Sequence, residues 1–293
     1  MTVVALASVK ASPGVTTSLL ALAATWPGQR PVLLVDADPD GGSLAARTGL
    51  LTEPGLTSLA AAARRTLRAG ELERHTQPLP GGGVPALVGP ADPEHASRAL
   101  QLLGGPLATA LRSDPDRDGL VDCGRLRAGS PAAPLAAAAD VLVVVARPRL
   151  DELQHLRPAL PRLLAVGARP ALLLVGEGPY PPGEVAAALD VTVLTTLPHD
   201  PAGADQLSGQ RRRAGRLERT TLLRAARAVA EQLRAADETT GGGAHESSVS
   251  DEPAPPASTT AVRERSVSGN GHRDRTGWVA ALTRGSPTAR EPD

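Results

Sequence analysis

Short apolar runs recur along the chain, separated by longer stretches of mixed polarity. Within the runs, apolar residues do not alternate with polar ones, which is typical of strands buried on both faces of a parallel sheet. We therefore predict strands at Val3–Ala7, Val32–Val35, Val84–Val88, Leu120–Val121, Val141–Ala146, Ala171–Val175 and Val191–Leu197.

The stretches between these runs have the composition and periodicity of helices. We predict helices at Ser18–Thr25, Leu56–Ala69, Glu94–Arg112, Asp151–Val166, Pro182–Leu189 and Leu217–Ala236. Alternation of strands and helices at this spacing implies right-handed crossover connections. The predicted fold is an α/β domain with a doubly wound, mostly parallel sheet.

The composition changes after Ala236. Residues 237–293 are rich in Gly, Ser, Thr, Pro and charged residues and have few apolar clusters, which predicts disorder. We therefore predict a folded domain at residues 1–236 and a disordered tail at residues 237–293. Within the tail, Gly277–Leu282 is either an inert fragment or a short docking motif for a protein partner or a membrane surface.

The overall composition narrows the possible functions. The formal net charge is +0, so no overall field attracts the chain to nucleic acid or to a membrane. The single cysteine, Cys123, excludes an internal disulfide and a cysteine-rich metal centre built from one chain. There is no basic and apolar leader and no apolar run of about 18 residues, so we expect a cytoplasmic protein without a membrane span.

The basic residues are almost all arginine. Of the 31 lysines and arginines, the one lysine is Lys10. A coding bias explains the arginines, and Lys10 is then either a chance survivor or a residue with a chemical role. Because a compact ammonium fits a crowded phosphate site better than a planar guanidinium does, we favour the chemical role.

The segment that follows the first predicted strand has features of a phosphate-binding loop. It consists of Val9-Lys10-Ala11-Ser12-Pro13-Gly14-Val15-Thr16-Thr17 and leads into a predicted helix. Backbone N–H groups and a helix N-terminus converge on an anion at such a junction. Gly14 and Thr16 match the pattern G-x-x-x-x-G-K-[ST], whereas Val9 and Val15 replace its first glycine and its lysine.

Three aspartates follow predicted strands. Asp36 and Asp38 come at the end of the second strand, and Asp122 follows the fourth. Ligands of doubly wound sheets bind beyond the carboxyl ends of the strands, so these side chains should lie beside the loop. Such carboxylates hold Mg²⁺ or orient an attacking water, and the alternative is an acidic turn that caps a helix.

Together these residues resemble the ParA/MinD family of P-loop ATPases. The family has a deviant loop, K-G-G-x-G-K-[ST]-[ST], with an additional signature lysine, and Lys10–Thr17 aligns with it without gaps. Val32–Gly41 is similar to the family's V-L-L-V-D-x-D-P-x-G, and Leu120–Gly124 is similar to its D-x-x-G region. The resemblance covers about residues 2–235 and extends to the TadZ/CpaE branch, in which degraded loops occur.

The resemblance implies ATP and Mg²⁺ as ligands and a homodimer with nucleotide. Lys10 would reach the phosphates of the partner subunit, and Asp38 would help position the hydrolytic water, so both are candidate catalytic residues. Thr16, Asp36 and Asp122 would hold the metal. The nucleotide would be bound by Lys10, Ala11, Ser12, Pro13, Gly14, Val15, Thr16 and Thr17.

The loop also departs from the family pattern. Ala11 and Ser12 replace glycines, and Pro13 removes a backbone N–H donor. Val15 removes a lysine that normally faces the β- and γ-phosphates. Each hydrogen bond to a charged group contributes about 1.5–3 kcal/mol, so we expect much weaker ATP binding, with Lys10 as a partial compensation.

Gln210–Arg234 carries eight arginines against two glutamates, a net charge of +6. The resemblance implies non-specific DNA binding through this surface, and a solvated helix face is the alternative. The arginines proposed to contact DNA are Arg211, Arg212, Arg213, Arg216 and Arg219.

Three functions remain open from the sequence. The first is a ParA/MinD-like ATPase, or ATP-binding switch, that positions cellular cargo in DNA partitioning or in a pilus or secretion machine. The second is a non-hydrolysing scaffold that keeps the fold and a partner surface but has lost ATP turnover. The third is a metabolic synthetase or reductase on the same fold, for which no substrate-specific motif stands out.

Overall fold

The computed structural model describes residues 2–10, 13–28, 30–63, 67–80, 83–165, 168–209 and 220–241. By its internal contacts the chain divides into two compact units, Met1–Asp237 and Glu238–Asp293. Of the second unit only residues 238–241 are described, and they belong to the last helix. The predicted disorder of the tail therefore concerns residues that lie almost entirely outside the described part of the chain.

Eight strands form one sheet in the order β3-β4-β2-β5-β1-β6-β7-β8. All neighbouring strands are parallel except β3 and β4, which are antiparallel. The predicted doubly wound, mostly parallel sheet is confirmed. The strands are β1 (Val3–Ser8), β2 (Val32–Asp36), β3 (Gln77–Pro78), β4 (Pro85–Leu87), β5 (Asp118–Arg125), β6 (Val141–Ala146), β7 (Arg169–Val175) and β8 (Thr192–Leu197).

Every predicted apolar run is a strand. In β1, β2 and β6 all residues are buried, because helices cover both faces of the sheet. β5 extends well beyond Leu120–Val121, since Gly119 and polar residues continue its pairing with β1 and β2. β3 was not predicted, because two residues at a sheet edge leave no pattern in the sequence.

The helices described in the structure flank this sheet. They are α1 (Val15–Thr25), α2 (Leu44–Thr48), α3 (Leu56–Ala62), α4 (Ala69–Leu72), α5 (Pro93–Arg112), α6 (Ala133–Ala138), α7 (Leu150–Leu164), α8 (Pro182–Leu189), α9 (Pro201–Leu207) and α10 (Thr221–Gly241). A short 3₁₀ helix spans Glu73–His75.

The long helices agree with the prediction, and one predicted helix is wrong. Instead of one helix over Leu56–Ala69, α3 ends at Ala62 and α4 begins at Ala69. Ala63 adopts extended backbone, which ends α3 although alanine has a high helix propensity. The unpredicted helices α2 and α6 have at most six residues, too few for a periodic pattern.

The end of α1 is tied to the start of β5 and to α10 through one buried carboxylate. The indole N–H of Trp26 donates to Asp118 Oδ2 over 3.0 Å, and Arg234 donates to the same oxygen. The backbone N–H of Thr2 donates to Asp118 Oδ1 over 2.9 Å. The charge of this aspartate is therefore compensated, and the far end of α1 is fixed.

Within the described ranges, no helix combines the length and the apolar character that crossing a membrane requires.

Candidate functional site

The residue that leads from the loop after β1 into α1 is a glycine with left-handed backbone conformation. Gly14 has φ +106°, a value that residues with a Cβ rarely adopt, and its carbonyl accepts the N–H of Ser18 over 2.8 Å. No side chain caps the N-terminus of α1 among the described residues, so its first N–H groups remain available to an anion. Ala11 and Ser12, two of the predicted loop residues, lie outside the described residues.

The residue in the position of the loop lysine faces the interior. Val15 is only 7% exposed and belongs to the hydrophobic core around α1 and β1. Pro13 is buried beside it and has no N–H to donate. The loop therefore offers an anion backbone donors and the Thr17 hydroxyl, but no positive charge of its own at this position.

Lys10 is exposed, and its amine contacts α7. Lys10 Nζ lies 2.6 Å from Nε2 of His155. The pKa of the nearby Asp151 is lowered by a hydrogen bond from Arg149 and, to a smaller extent, by the charge of Lys10. The predicted signature lysine thus points along the surface of its own chain in this structure.

Thr16, Asp36 and Asp122 form a cluster that we call the acidic edge. Asp36 and Asp122 are register partners on the adjacent strands β2 and β5. Thr16, in the first turn of α1, donates its hydroxyl to Asp122 Oδ2 over 2.7 Å. Its oxygen also lies 3.2 Å from the hydroxyl oxygen of Ser43. The predicted metal residues are therefore brought together, and Ser43 joins them without having been predicted.

The carboxylates of the acidic edge are buried with incomplete compensation. Asp36 Oδ2 accepts the N–H of Leu44 over 2.8 Å, whereas Asp36 Oδ1 is buried without a hydrogen-bond partner among the described residues. The backbone N–H groups of Asp38 and Gly89 lie close enough to lower the pKa of Asp36. A buried acceptor that lacks a donor is costly, and a bound cation would satisfy it.

Burial shifts the titration of both carboxylates. It raises the pKa of Asp36 to about 6, with a further contribution from the charge of Asp38. It raises the pKa of Asp122 to about 7, with the charge of Asp36 as the second cause. Asp122 also accepts the N–H of Gly124 on Oδ1 over 2.9 Å, which opposes the shift. Two buried like charges favour protonation unless a cation lies between them.

Asp38 lies beside the acidic edge and is positioned by backbone. Its Oδ1 accepts the N–H of Asp40 over 2.9 Å, and burial is the main cause of its raised pKa. A Cβ on Gly124 would come within 2.0 Å of the Asp38 carboxyl group, and Gly124 has φ +55°. The absence of a side chain at Gly124 therefore leaves the space that the Asp38 carboxyl group occupies.

The acidic edge fits Mg²⁺ only when part of the shell comes from elsewhere. Mg²⁺ prefers six oxygen ligands, and the edge offers one hydroxyl and two carboxylates. The described residues contain no group of three or more His, Cys, Asp or Glu side chains that could hold a metal ion. A hard cation held by a few protein oxygens, with water and substrate phosphates as the other ligands, agrees with this donor set.

A cavity of about 770 Å³ opens next to the loop. Its walls are Gly14 and the first turn of α1, the residues after β7 and β8, and three arginines. Such a volume is within the range of small-molecule sites, which in doubly wound sheets lie at the carboxyl ends of strands. The arginines are Arg47, Arg147 and Arg149.

All five arginines predicted to contact DNA lie outside the described residues. Arg211, Arg212, Arg213, Arg216 and Arg219 belong to the segment 210–219, which the structure does not describe. On α10, Arg224 and Arg227 are exposed, whereas Arg234 pairs with Asp118. DNA binding therefore remains a prediction.

Solved structures resemble the chain over most of its length. MinD, the cell division ATPase of Pyrococcus furiosus, matches with a TM-score of 0.64 at 21% identity, over 80% of this chain and 99% of that one. The septum site-determining protein MinD of Pyrococcus horikoshii OT3, complexed with Mg-ADP, matches with 0.62 at 21%, over 84% and 99%. A ParA family ATPase from Chlorobium tepidum TLS matches with 0.63 at 16%, over 80% and 97%.

The chain has the fold of the MinD and ParA ATPases. The fold that the sequence motifs implied is thereby confirmed. No family model and no curated protein sequence matches the chain. In the MinD/ParA fold of this chain, the acidic edge and the cavity lie at the carboxyl ends of the strands, where the sequence predicted the site.

Residues of the site that the sequence did not indicate are Ser43, Arg47, Arg147 and Arg149. Arg147 and Arg149 come shortly after β6, and that position at the edge where ligands bind was the available signal, whereas Ser43 precedes α2 and Arg47 lies within it. The signal was weak for the arginines because the chain contains so many of them.

Proposed function

We propose that the chain is a member of the ParA/MinD family and acts as a nucleotide-dependent switch that binds Mg-ATP. The observation that carries this proposal is the acidic edge, in which Thr16 joins Asp122 and Asp36 retains an unpartnered buried oxygen. The cavity beside Gly14 and the first turn of α1, the helix that also carries Thr16, has room for a nucleotide. MinD of Pyrococcus horikoshii, which has this fold, is complexed with Mg-ADP.

Each part of the site has a task under this proposal. Thr16, Asp36 and Asp122 hold Mg²⁺ directly or through water, and the metal neutralises charge on the phosphates when it is bound. The turn at Gly14 directs the first N–H groups of α1 at those phosphates. Asp38, held by the N–H of Asp40, orients the attacking water.

The proposed switch is a homodimer with nucleotide, and hydrolysis releases it. In that dimer Lys10 leaves His155 and reaches the phosphates of the partner subunit. Its present contact is compatible with such a movement, because the Lys10 side chain is exposed and its one hydrogen bond within the described residues is to the half-buried His155. We propose the positioning of cellular cargo as the process, in DNA partitioning or in the assembly of a pilus or secretion machine.

A second function is favoured by Val15 and Pro13. With Val15 buried in the core and Pro13 lacking an N–H, the loop has lost two of the groups that hold phosphates during hydrolysis. The chain would then be a scaffold that binds nucleotide without turnover and presents a partner surface. The two functions share the fold and differ in turnover.

One titration separates these functions. The full chain is titrated with ATP in the presence of Mg²⁺, and binding heat, phosphate release and mass by light scattering are measured on the same sample. Binding with slow release of phosphate and a doubling of mass supports the switch, and binding without release supports the scaffold. Absence of binding at millimolar ATP would contradict both. A matched sample in EDTA tests whether the metal is required.

DNA binding by the arginine-rich segment is tested by its dependence on salt. Replacement of Arg211, Arg212 and Arg213 by alanine should remove up to three phosphate contacts and lower the slope of log affinity against log salt by about 2–3. Arg98→Ala is the control, because it also replaces an exposed arginine by alanine but lies on α5, outside the arginine-rich segment. An affinity for DNA that is the same at low and high salt would rule out phosphate contacts as its basis.

A further inference from the structure

Arg47 occupies a position that the sequence motifs do not assign. It lies in the last turn of α2 and lines the cavity beside the phosphate loop. Its guanidinium donates to the hydroxyl of Thr17 over 3.4 Å, a long hydrogen bond. A positive group from another element thus reaches the loop next to the position where Val15 provides none.

The three arginines of the cavity differ in their partners. Arg147 pairs with Glu152 at 3.4 Å, and Arg149 pairs with Asp151 at 3.1 Å. Arg47 forms no ion pair with any carboxylate among the described residues, and the Thr17 hydroxyl is its hydrogen-bond partner there. Arg47 is half-buried, and no carboxylate of the described residues neutralises its charge. Of the three arginines it is therefore the best candidate to bind an anion.

The carboxylates that line the same cavity leave Arg47 without a counter-charge. Asp200 accepts the N–H of Gly203 over 2.9 Å and a hydroxyl from Thr221 over 3.2 Å, so its oxygens are occupied. Glu177 is exposed on the side of β7. Neither carboxylate of the cavity is therefore paired with Arg47 in the described part of the chain, which leaves its charge available to an anion.

The fold also fixes the backbone that carries Arg47. Leu44 and Ala45, at the start of α2, are buried in the core, and the N–H of Leu44 is held by Asp36 of the acidic edge. At the other end, Gly49 adopts a left-handed conformation that ends the helix. Arg47 is thus only three residues of helix away from Leu44, whose N–H is held by the acidic edge.

We propose that Arg47 supplies the positive charge that the phosphate loop lacks at Val15, and that it binds the terminal phosphates of a nucleoside di- or triphosphate. This inference rests on the proposed function, since it concerns the same site. A guanidinium binds phosphate oxygens through two parallel N–H groups, so one arginine can replace the point charge of a lysine. The ligand would displace the long hydrogen bond to Thr17.

The experiment compares affinities for ATP, ADP and AMP in Mg²⁺ between the full-length wild type and Arg47→Ala. We expect ATP to bind at least about tenfold more weakly to the variant, since a hydrogen bond to a charged group is lost. AMP lacks the terminal phosphates, so its affinity should change by less than about twofold. Arg47→Lys keeps the charge and should lose less affinity for ATP than Arg47→Ala.

Two comparison variants define the role of Arg47 among the arginines. Arg147→Ala should weaken ATP binding less than Arg47→Ala does, because Arg147 is already paired with Glu152. Arg98→Ala, an exposed residue paired with Glu94 on α5, controls for a general loss of positive charge. Far-UV circular dichroism and thermal melting of each variant show whether it folds.

Each outcome decides the inference. It is overturned if Arg47→Ala binds ATP like the wild type, or if ATP and AMP lose affinity equally, as a folding defect would produce. It is also overturned if Arg47→Lys, when folded, is as weak as Arg47→Ala. If the wild type binds no nucleotide, the proposed function fails as well, whereas wild-type binding with an unaffected Arg47→Ala leaves that function standing.

Discussion

The acidic edge and the loop before α1 lie side by side in this fold but differ in how far the structure brings their predicted site residues together. The edge has Thr16, Asp36 and Asp122 in contact or in register, with one oxygen left for a cation. The loop has Val15 in the core and Lys10 directed at α7. The two regions share only Thr16, because Asp36 and Asp122 come from β2 and β5, so under the proposed function the metal ligands and the phosphate ligands can change largely independently.

The acidic edge and the loop also differ in what they cost in free energy of folding. A buried carboxylate pair without a cation raises the free energy of the folded state, as the raised pKa values of Asp36 and Asp122 express. A buried valine in the loop has no such cost. The cost of the buried carboxylates supports the proposal that the edge binds a cation.

The largest expected effect tests the edge directly. Thr16→Ala removes the hydroxyl from the proposed metal shell, so affinity for ATP in Mg²⁺ should fall about 10- to 100-fold. Affinity in EDTA should change by less than about twofold. Thr25→Ala is the matched control, since Thr25 lies at the other end of α1 and bonds only to backbone carbonyls. Unchanged Mg-ATP binding by Thr16→Ala would remove the metal role.

The second test uses pH and unfolding by urea in EDTA. The pKa of Asp122 is about 7 in the folded state and about 3.9 when unfolded, so the folded state binds more protons between these values. Stability therefore falls as pH rises from about 4 to about 7. Asp122→Asn cannot ionise, and at pH 8 it should be more stable than the wild type by on the order of 1–3 kcal/mol.

The same comparison at pH 4 is the control for Asp122→Asn. There the carboxyl group is protonated in the folded wild type, and the two proteins should differ little. Asparagine can still accept from Gly124 and donate to Thr16, so packing is preserved. A variant that is less stable than the wild type at pH 8 would show that the edge is compensated in some other way.

The sequence predicted the edge better than it predicted the loop. Asp36 and Asp122 end buried strands, and parallel strands bring their carboxyl ends together, so their meeting followed from the pattern. The contact between Lys10 and His155 joins residues 145 positions apart and depends on how α7 packs, which no local pattern encodes. Arg47 could not be singled out from the sequence, because the chain contains many arginines and because α2, with five residues, is too short to give a periodic pattern.

A third test concerns the glycine that positions Asp38. Gly124→Ala places a Cβ within 2.0 Å of the Asp38 carboxyl group at a positive φ. Gly129→Ala has a positive φ as well but meets nothing within 4 Å, so it controls for backbone strain. Unfolding by urea should show Gly124→Ala to be less stable than Gly129→Ala by about 1–2 kcal/mol. Equal stabilities would mean that Asp38 moves aside freely.

The smallest effect is expected in the loop. Lys10→Ala should change the free energy of unfolding by less than about 0.5 kcal/mol, since the side chain is exposed. In Mg-ATP, however, it should prevent the increase in mass that the wild type shows in light scattering. His155→Ala frees Lys10 without removing it and should still dimerise. A Lys10→Ala dimer would leave the predicted role of this lysine without support.

The hydrogen bond between Trp26 and Asp118 makes the fluorescence of Trp26 a probe of the far end of α1. The sequence contains two tryptophans, so the variant Trp278→Leu would leave Trp26 as the one indole. Trp26 lies at the end of the helix that begins beside Gly14. Eleven residues of helix separate the two ends by about 16 Å. The emission maximum of Trp26 would then report without any label on whether occupation of the loop is transmitted along α1 to the buried carboxylate.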